Sequence, residues 1–335
     1  MSDARLTGHR ALEIGRTISS LRAKFVSNDR FDELAEQFDL LLYRRRADLE
    51  AGRQSEARGI VLTGNPGSGK STAINRLFSR HVDLSVLSMD REQADIVSFQ
   101  VPSPATLKFV GQSCLRGLGY PLSRDRPANV IWQLVQHHLK QRRTLFMHLD
   151  EAQDLSPHRG TNEVQSVVNT LKSIMQNSEW PVGIILTGTG SLRALVNHDP
   201  QLSRRLLPIE FRPICWSSHG DSVKGVIRGY SRSASLMCSD EVLKPELIKR
   251  LIHSGSEELG LVIELVISAL EEALIREQSE ITLDAFAQAF KRRSGCVDAL
   301  NPFIAEDWRA MDARLLFQRE VKAPVDSPFD TWERA

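Results

Sequence analysis

The chain is 335 residues long, enough for two domains, and its 41% hydrophobic, 25% charged and 6% aromatic residues are ordinary for a globular protein. Its 43 basic and 42 acidic residues leave a formal net charge of +1, so any binding to nucleic acid has to come from a local patch. No stretch is apolar enough to cross a bilayer and the N terminus lacks the apolar core of a secretion signal, so we expect a cytoplasmic protein with no membrane partner.

In chain order, residues 1–55 carry two amphipathic helical patterns and predict an N-terminal helical extension. Residues 56–213 alternate strands with helices, the order typical of right-handed crossovers in a doubly wound parallel α/β sheet. Residues 214–298 show four helical periods and no strand pattern, which predicts a small helical lid, and residues 299–335 are expected to form a loosely structured tail. The predicted strands or short apolar runs are 59–63, 84–89, 96–101, 144–149, 182–187 and 208–211, and the predicted helices after residue 55 are 71–80, 106–118, 129–141, 163–176, 219–234, 243–254, 259–276 and 283–292.

Cys114, Cys215, Cys238 and Cys296 are scattered along the chain. Their spacing fits neither a metal clip nor a disulfide framework. We therefore expect four reduced thiols, most of them buried.

A phosphate-binding loop is the strongest motif. Gly64–Ser71 reads Gly-Asn-Pro-Gly-Ser-Gly-Lys-Ser and fills every fixed position of G-x-x-x-x-G-K-[ST], directly after the apolar run Ile60-Val61-Leu62. A glycine-rich turn that binds nothing is the alternative, but the flanking strand and helix favour ATP, with Lys70 reaching the outer phosphates and Ser71 binding Mg²⁺. The predicted ATP-binding residues are Gly64, Asn65, Pro66, Gly67, Ser68, Gly69, Lys70, Ser71 and Thr72.

An acidic pair follows the apolar strand pattern at 144–149. Asp150 is placed to hold Mg²⁺, and Glu151 is placed to orient and deprotonate the attacking water. A helix N-cap pair is the alternative interpretation of these two carboxylates. His148 is expected to be a packed core side chain, because no second His or Cys lies at metal spacing.

Two further candidates complete the predicted catalytic set. Thr189, with Thr187 as the second choice, would place a hydroxyl near the γ-phosphate at the end of the strand 182–187. Arg205, or its neighbour Arg204, would lie at the rim of the domain and reach the nucleotide of an adjacent subunit. The alternative for either arginine is a surface side chain with a carboxylate partner.

These motifs together resemble the AAA+ ATPases of the initiator-like branch, and more narrowly the TniB/TnsC transposition ATPases. The resemblance covers roughly residues 25–292. It is carried by Gly64–Ser71, Asp150-Glu151-Ala152-Gln153, Asn169-Thr170-Leu171-Lys172, Gly188-Thr189, Asp199-Pro200-Gln201-Leu202 and Gly260-Leu261-Val262-Ile263-Glu264-Leu265.

The resemblance implies an AAA+ ATPase that uses ATP and Mg²⁺ to assemble as a homo-oligomer, a ring or a helical filament, on double-stranded DNA. It also implies a transposase and a target-selector protein as partners, with hydrolysis driving disassembly. Many AAA+ proteins carry a lid arginine near the start of the helix that here begins Leu259-Gly260-Leu261, and this chain has none there. Slow hydrolysis, or dependence on Arg205 of a neighbour, is therefore expected.

Candidate DNA contacts follow the strand 96–101. Ser103, Thr106 and Lys108 lie at a helix start, where hydroxyls, a lysine and backbone N–H groups can hold a phosphate, and the resembled family turns loops of this region toward DNA. Contacts to the DNA backbone predict binding that is independent of sequence and sensitive to salt. Four other basic residues are weaker candidates, because scattered arginines are usually solvated. They are Arg124, Arg126, Arg142 and Arg143.

Two other classes share the ATPase core. One is a signalling or secretion ATPase that acts on protein partners and does not touch DNA. The other is a replication initiator or helicase loader, which usually appends a winged-helix or helix-turn-helix module. The stretch after Val297 is too short for such a module, so this class is disfavoured.

Overall fold

A computed structural model describes residues 8–53, 55–86, 93–103, 105–155 and 161–315. Its strands are β1 (Gly59–Gly64), β2 (Ile96–Gln100), β3 (Phe146–Asp150), β4 (Gly183–Gly188), β5 (Leu206–Phe211), β6 (Met237–Cys238) and β7 (Glu280–Ile281). Its α-helices are α1 (Gly8–Arg22), α2 (Asp29–Glu50), α3 (Lys70–Arg80), α4 (Leu107–Gly117), α5 (Ala128–Gln141), α6 (Thr161–Met175), α7 (Leu192–Asn197), α8 (Pro200–Ser203), α9 (Trp216–Ser233), α10 (Pro245–Ser254), α11 (Leu259–Ile275) and α12 (Leu283–Ser294).

The contacts divide the chain into two compact units, Phe25–Pro213 and Met1–Lys24 with Ile214–Ala335. Helix α1 thus groups with the C-terminal helices and α2 with the sheet, whereas the sequence predicted one extension over residues 1–55. The reason is that α1 and α2 bury their apolar stripes in different cores. The domain boundaries themselves remain a prediction.

The Phe25–Pro213 unit is built on a parallel sheet, which within the described residues has five strands in the order β2-β3-β4-β1-β5. Strands β1 and β4 are buried along their whole length, and β3 is buried except at its last residue. Buried parallel strands of this kind need helices on both faces of the sheet. Order and direction confirm the predicted doubly wound parallel sheet.

Each face of the sheet has its own core. On one face, Phe38 of α2 and Phe78 of α3 pack against Phe146 and Ile185. On the other face, α4, α5, α6 and α7 cover alternate residues of the same strands. Since side chains alternate across a strand, Phe146, His148 and Asp150 of β3 point to the face that α2 and α3 cover. The predicted run 84–89 lies partly outside the described residues, and its described part contributes one bridge, between Val86 and Ile96.

The second unit packs helices α9 to α12 together with α1. Arg10 of α1 donates to the carbonyl oxygens of Leu274 and Ile275 at 2.9 and 3.0 Å, which caps the C-terminal end of α11. A two-residue parallel pair, β6 with β7, belongs to this unit, although no strand was predicted there. Strands this short carry too few residues to show a period.

Residues 301–311 pack on this helical unit, although the sequence predicted a loose tail from residue 299. Arg250 of α10 donates to the carbonyl oxygens of Pro302 and Ala305 at 2.6 and 2.7 Å, and the Trp308 indole donates to Glu246 at 2.9 Å. Phe303 and Trp308 are buried as a result. The rest of the predicted tail, residues 316–335, lies outside the described residues.

Two other expectations can be compared with the structure. Within the described ranges, no helix is both long and apolar enough to span a membrane. The four cysteines are free, but Cys215 is exposed and Cys238 is half-buried. Only Cys114 and Cys296 therefore match the expectation of buried thiols.

Candidate nucleotide-binding site

The phosphate loop joins the C-terminal end of β1 to the first turn of α3. Gly67 and Gly69 have φ angles of 82° and 94°, in the left-handed region that disfavours residues with side chains. Gly69 is the N-cap of α3, so the first free N–H groups of the helix face the loop. Asn65 and Pro66 form its exposed turn, and Thr72 is exposed in the first turn of the helix. This backbone arrangement suits a phosphate group.

Lys70 lies against this loop. Its Nζ donates to the carbonyl oxygens of Gly64 and Asn65 at 2.9 and 3.0 Å, and Ser68 Oγ is 3.4 Å away. The ammonium group is thus already inside the turn that would surround a triphosphate. A phosphate oxygen carries more charge than a carbonyl oxygen and can replace these contacts with stronger ones.

Asp150 and Ser71 meet across the site. β3 ends at Asp150, and Ser71 Oγ in the first turn of α3 donates to Asp150 Oδ2 at 3.2 Å. The other oxygen, Oδ1, accepts from the backbone N–H of Glu151 at 3.0 Å and from Thr187 Oγ1 at 2.5 Å. The two residues predicted as metal ligands are therefore adjacent in space.

The donor set of this site fits Mg²⁺. A hydroxyl and a carboxylate are hard oxygen ligands, and Mg²⁺ takes few protein ligands because it keeps waters and binds the nucleotide phosphates. Within the described residues no group of three or more His, Cys, Asp or Glu could hold a metal, so the fit is to an ion shared with a nucleotide. Mg²⁺ held by Ser71 and Asp150 would neutralise charge on the phosphates.

Glu151 has an unusual backbone and a side-chain partner. Its φ is 54°, a left-handed conformation that is uncommon for a residue with a side chain and recurs at functional sites. Gln153 Nε2 donates to Glu151 Oε2 at 2.6 Å, and Gln153 Oε1 accepts from Thr189 N at 3.2 Å. A Cβ at Gly188 would lie 2.4 Å from Gln153 Oε1, so glycine is needed there for this bridge. Gln153 thus holds the predicted water-orienting residue against the end of β4.

Thr187, the second choice from the sequence, contacts the predicted metal ligand Asp150. Thr187 is fully buried and donates to Asp150, whereas the Thr189 hydroxyl pairs with Ser191 Oγ at 2.7 Å. Thr189 lies one residue beyond the end of β4. Thr187 is therefore the threonine that the structure places in the site.

His148 is buried, as expected, but it is also hydrogen-bonded on both ring nitrogens. Nδ1 lies 2.7 Å from Ser98 Oγ, and Nε2 lies 3.0 Å from Thr187 Oγ1. Burial lowers the pKa of His148 to about 4, although the negative charge of Asp150 acts to raise it. The imidazole is therefore neutral at pH 7.

Arg205 does not project from the rim, which corrects its expected orientation. It is 3% exposed, donates to Glu56 at 2.8 Å and also bonds the carbonyl oxygen of Gln201. The Arg205 hydrogen bond is the main reason that the pKa of Glu56 lies below its usual value. Arg204 is exposed instead, so it is the arginine of the pair that is accessible from outside.

A cavity of about 700 Å³ lies beside the N-terminal ends of β1, β3, β4 and β5, at the sheet edge opposite the phosphate loop. Its wall carries five arginines and two carboxylates, so it attracts anions. Arg45 is 6% exposed and its Nη2 donates to Pro181 O at 2.9 Å, while its Nε and Nη1 have no partner among the described residues. The charged residues of the wall are Arg44, Arg45, Asp48, Glu56, Arg58, Arg204 and Arg205.

The predicted DNA contacts lie at the start of α4. Thr106 is the N-cap of that helix and its Oγ1 accepts from Phe109 N at 3.1 Å, while Ser103 is exposed. Lys108 Nζ is 2.6 Å from a carboxylate oxygen of Asp125. The weaker candidates Arg124, Arg126 and Arg143 are exposed, and Arg142 donates to Leu118 O at 2.9 Å.

Solved structures with similar folds were found. Cdc6p from Pyrobaculum aerophilum has a TM-score of 0.58 and 17% identity, over 82% of this chain and 70% of that one. The ORC1 protein of Aeropyrum pernix in complex with DNA has a TM-score of 0.53 and 14% identity, over 79% of this chain and 64% of that one. Drosophila ORC bound to DNA has a TM-score of 0.54 and 14% identity, over 88% of this chain and 67% of that one. Identities this low support the fold alone. Curated proteins gave no match.

The sheet order, the phosphate loop and the acidic pair after β3 make this protein a P-loop ATPase of the AAA+ class. The family model described as "Bacterial TniB protein" matches residues 22–215, more than half of the chain. The chain therefore belongs to the TniB family.

Proposed function

We propose that this protein is an ATP-dependent regulator of DNA transposition, which oligomerises on double-stranded DNA and passes a target site to a transposase. Membership of the TniB family supports this proposal. The observation that carries it is the Ser71–Asp150 contact beside the phosphate loop. The two side chains could bind Mg²⁺ there while the loop binds the phosphates of ATP. A target-selector protein would act upstream, and hydrolysis through Glu151 would end the assembled state.

Within this proposal, Arg204 of one subunit contacts the nucleotide of the next. Arg204 is exposed at the arginine-lined cavity, whereas Arg205 is occupied by Glu56 of its own subunit. An arginine supplied in trans neutralises charge in the transition state and raises turnover about a thousandfold or more in ATPases and GTPases where it has been measured. Helix α11 has no arginine in its first turn. The arginine that contacts the γ-phosphate would therefore come from a neighbouring subunit.

A mixing experiment separates the two arginines. We expect Arg204→Ala to bind ATP normally and to lose turnover, and we expect mixing it with Lys70→Ala to restore turnover, because the Lys70→Ala subunit still offers its Arg204. Arg205→Ala should mainly lower the temperature of unfolding, because it removes a buried guanidinium together with its hydrogen bonds to Glu56 and to the carbonyl oxygen of Gln201. Full turnover by Arg204→Ala alone would refute the assignment.

Lys108 remains the proposed DNA contact although it is paired. Its ion pair with Asp125 is solvent-exposed, with 40% and 75% of the side chains accessible. Such pairs stabilise a protein by at most about 1 kcal/mol, so a DNA phosphate can displace Asp125. Thr106 and Ser103 would add hydroxyl donors at the same helix start.

Retention of duplex DNA with a non-hydrolysable ATP analogue, at low and moderate salt, tests the whole proposal. We expect retention that is independent of sequence, needs the analogue and weakens steeply with salt. Lys108→Ala should lower the slope of log affinity against log salt concentration by about 1. Lys140→Ala is the control and should leave this slope unchanged, because Lys140 is similarly exposed and paired to Glu179 but lies on α5. No retention under any condition would favour an ATPase that acts on protein partners.

A further inference from the structure

His148 is a buried polar group that has no part in the proposed function described above. It lies in the middle of β3, is 2% exposed, and packs edge-on against Phe78 with ring centroids 5.5 Å apart. A histidine in such a place is costly unless both ring nitrogens are satisfied. Both are satisfied, by hydroxyls from the two neighbouring strands.

The sheet register explains how these hydroxyls reach the ring. Ser98 of β2 is paired with His148, and His148 is paired with Ile185 of β4. Thr187 follows Ile185 by two residues, so it points to the same face as His148, and so does Asp150. A row of hydrogen bonds therefore crosses three strands, from β2 through β3 to β4, and ends at the predicted metal ligands. Its members are Ser98, His148, Thr187, Asp150 and Ser71.

The direction of each bond in this row is fixed by chemistry. An ionised carboxylate only accepts, so the single hydroxyl hydrogen of Thr187 goes to Asp150. The Thr187 oxygen must then accept from His148, which requires the hydrogen on Nε2. A ring with its hydrogen only on Nδ1 would turn a lone pair of nitrogen toward a lone pair of Thr187.

We propose that His148 is a positioning residue for the Mg²⁺ site: its Nε2–H fixes the Thr187 hydroxyl, and Thr187 fixes the rotation of the Asp150 carboxylate. One carboxylate oxygen then accepts from Thr187, which leaves the other facing Ser71 at 3.2 Å. The inference rests on the proposed ATP site and adds a residue to it. Partners of metal ligands typically change metal affinity by 10-fold to 100-fold when they are removed.

Four substitutions distinguish this role from simple packing. His148→Leu removes both hydrogen bonds at similar bulk. His148→Gln can place an amide N–H near Nε2 and keep the bond to Thr187, whereas His148→Asn can reach only the position of Nδ1, toward Ser98. Thr187→Val removes the next hydroxyl in the row and keeps the shape of the side chain.

The measurement is the Mg²⁺ concentration that half-saturates binding of a fluorescent ATP analogue, with binding in EDTA as the reference. We expect an increase of about tenfold for His148→Leu, His148→Asn and Thr187→Val, near wild-type behaviour for His148→Gln, and unchanged binding in EDTA. The double variant His148→Leu, Thr187→Val should need no more Mg²⁺ than either single variant, because both act through one bond.

The results separate a failure of the positioning role of His148 from a failure of the proposed ATP site. A wild-type Mg²⁺ midpoint in His148→Leu, or additive effects in the double variant, would overturn the positioning role and leave the ATP site standing. If His148→Leu does not fold, as judged by thermal unfolding, the comparison of His148→Gln with His148→Asn decides, and equal midpoints overturn the role. A wild-type protein whose nucleotide binding ignores Mg²⁺ would overturn both the proposed site and this inference.

Discussion

At the C-terminal ends of β3 and β4, hydrogen bonds between neighbouring residues fix the orientation of the side chains of the candidate nucleotide site. Asp150 accepts from Ser71, Thr187 and the backbone of Glu151, so its carboxylate has a defined orientation. Glu151 in turn is held by Gln153. Fixed first contacts of this kind let a site stabilise charge without reorganising during the reaction.

The two threonines at the end of β4 can be separated by matched substitutions. Thr187→Val keeps the volume of the side chain and removes the donor to Asp150, so we expect ATP turnover to fall about tenfold or more. Thr189→Val loses only a bond to Ser191 and should have a small effect. Steady-state phosphate release measures both, and a greater loss in Thr189→Val would contradict the assignment.

The exposed Cys215 should react differently from the buried Cys114. Hydrogen bonds from Ser217, then from Ser218 and His219, lower the pKa of Cys215 to about 6, whereas burial raises the pKa of Cys114 to about 12. A lowered thiol pKa means that the reactive thiolate dominates above pH 6 and disappears as the pH falls through 6.

We therefore expect the alkylation rate of Cys215 by iodoacetamide to be near its plateau at pH 7 and about tenfold lower at pH 5. Peptide mass spectrometry follows each cysteine separately, with Cys114 as the slow internal control. A rate for Cys215 that still rises steeply above pH 8 would mean that its thiol is unperturbed.

At the scale of elements, α2 is part of the sheet unit. Its residues Leu34, Phe38 and Leu42 are fully buried in the core that also contains Ile60 and Phe146. Asn28 caps the helix by accepting from Phe31 N at 3.2 Å. One face of the sheet would lose a large part of its cover without this helix.

A fragment of residues 25–213 should therefore unfold cooperatively, while a fragment of residues 56–213 should not. Burying each large apolar side chain of α2 contributes about 2 kcal/mol, and three are fully buried. Near-UV circular dichroism and thermal unfolding compare the two fragments. Equal stability would show that α2 is a separate extension, as the sequence alone had predicted.

The features that could be predicted from the sequence are those that depend on residues close together in the chain. The phosphate loop, the acidic pair and most helices depend on residues that are close in sequence, and the structure has these elements at nearly the predicted bounds. The preference for Thr187 over Thr189 depends on strand register, and the pairing of Arg205 with Glu56 joins residues far apart in the chain. Neither leaves a periodic pattern, so neither could be read in advance.

For the whole molecule, we propose that ATP switches the subunits between a separate and an assembled state. A ligand shifts such an equilibrium only by its difference in affinity for the two states. ATP contacted by Lys70 of one subunit and Arg204 of the next would bind the assembled state better. The cycle would then be reset when Glu151 promotes hydrolysis.

Glu151→Gln should arrest this cycle in its assembled state. The amide cannot take a proton from water, so we expect ATP binding to persist, turnover to fall by at least about a hundredfold and oligomers to accumulate on duplex DNA. Light scattering after size-exclusion chromatography measures the oligomers, with Lys70→Ala as a non-assembling control. A Glu151→Gln variant that stays monomeric with ATP and DNA would contradict the switch.

The equilibrium affinity of the purified protein for ATP in the presence of Mg²⁺ tests the proposed nucleotide site itself. We expect saturable binding by the wild type and a loss of affinity of at least about tenfold in Lys70→Ala, because a charged hydrogen-bond donor to the phosphates is removed. A wild-type protein with no affinity for adenine nucleotides, or a Lys70→Ala variant with unchanged affinity, would contradict it.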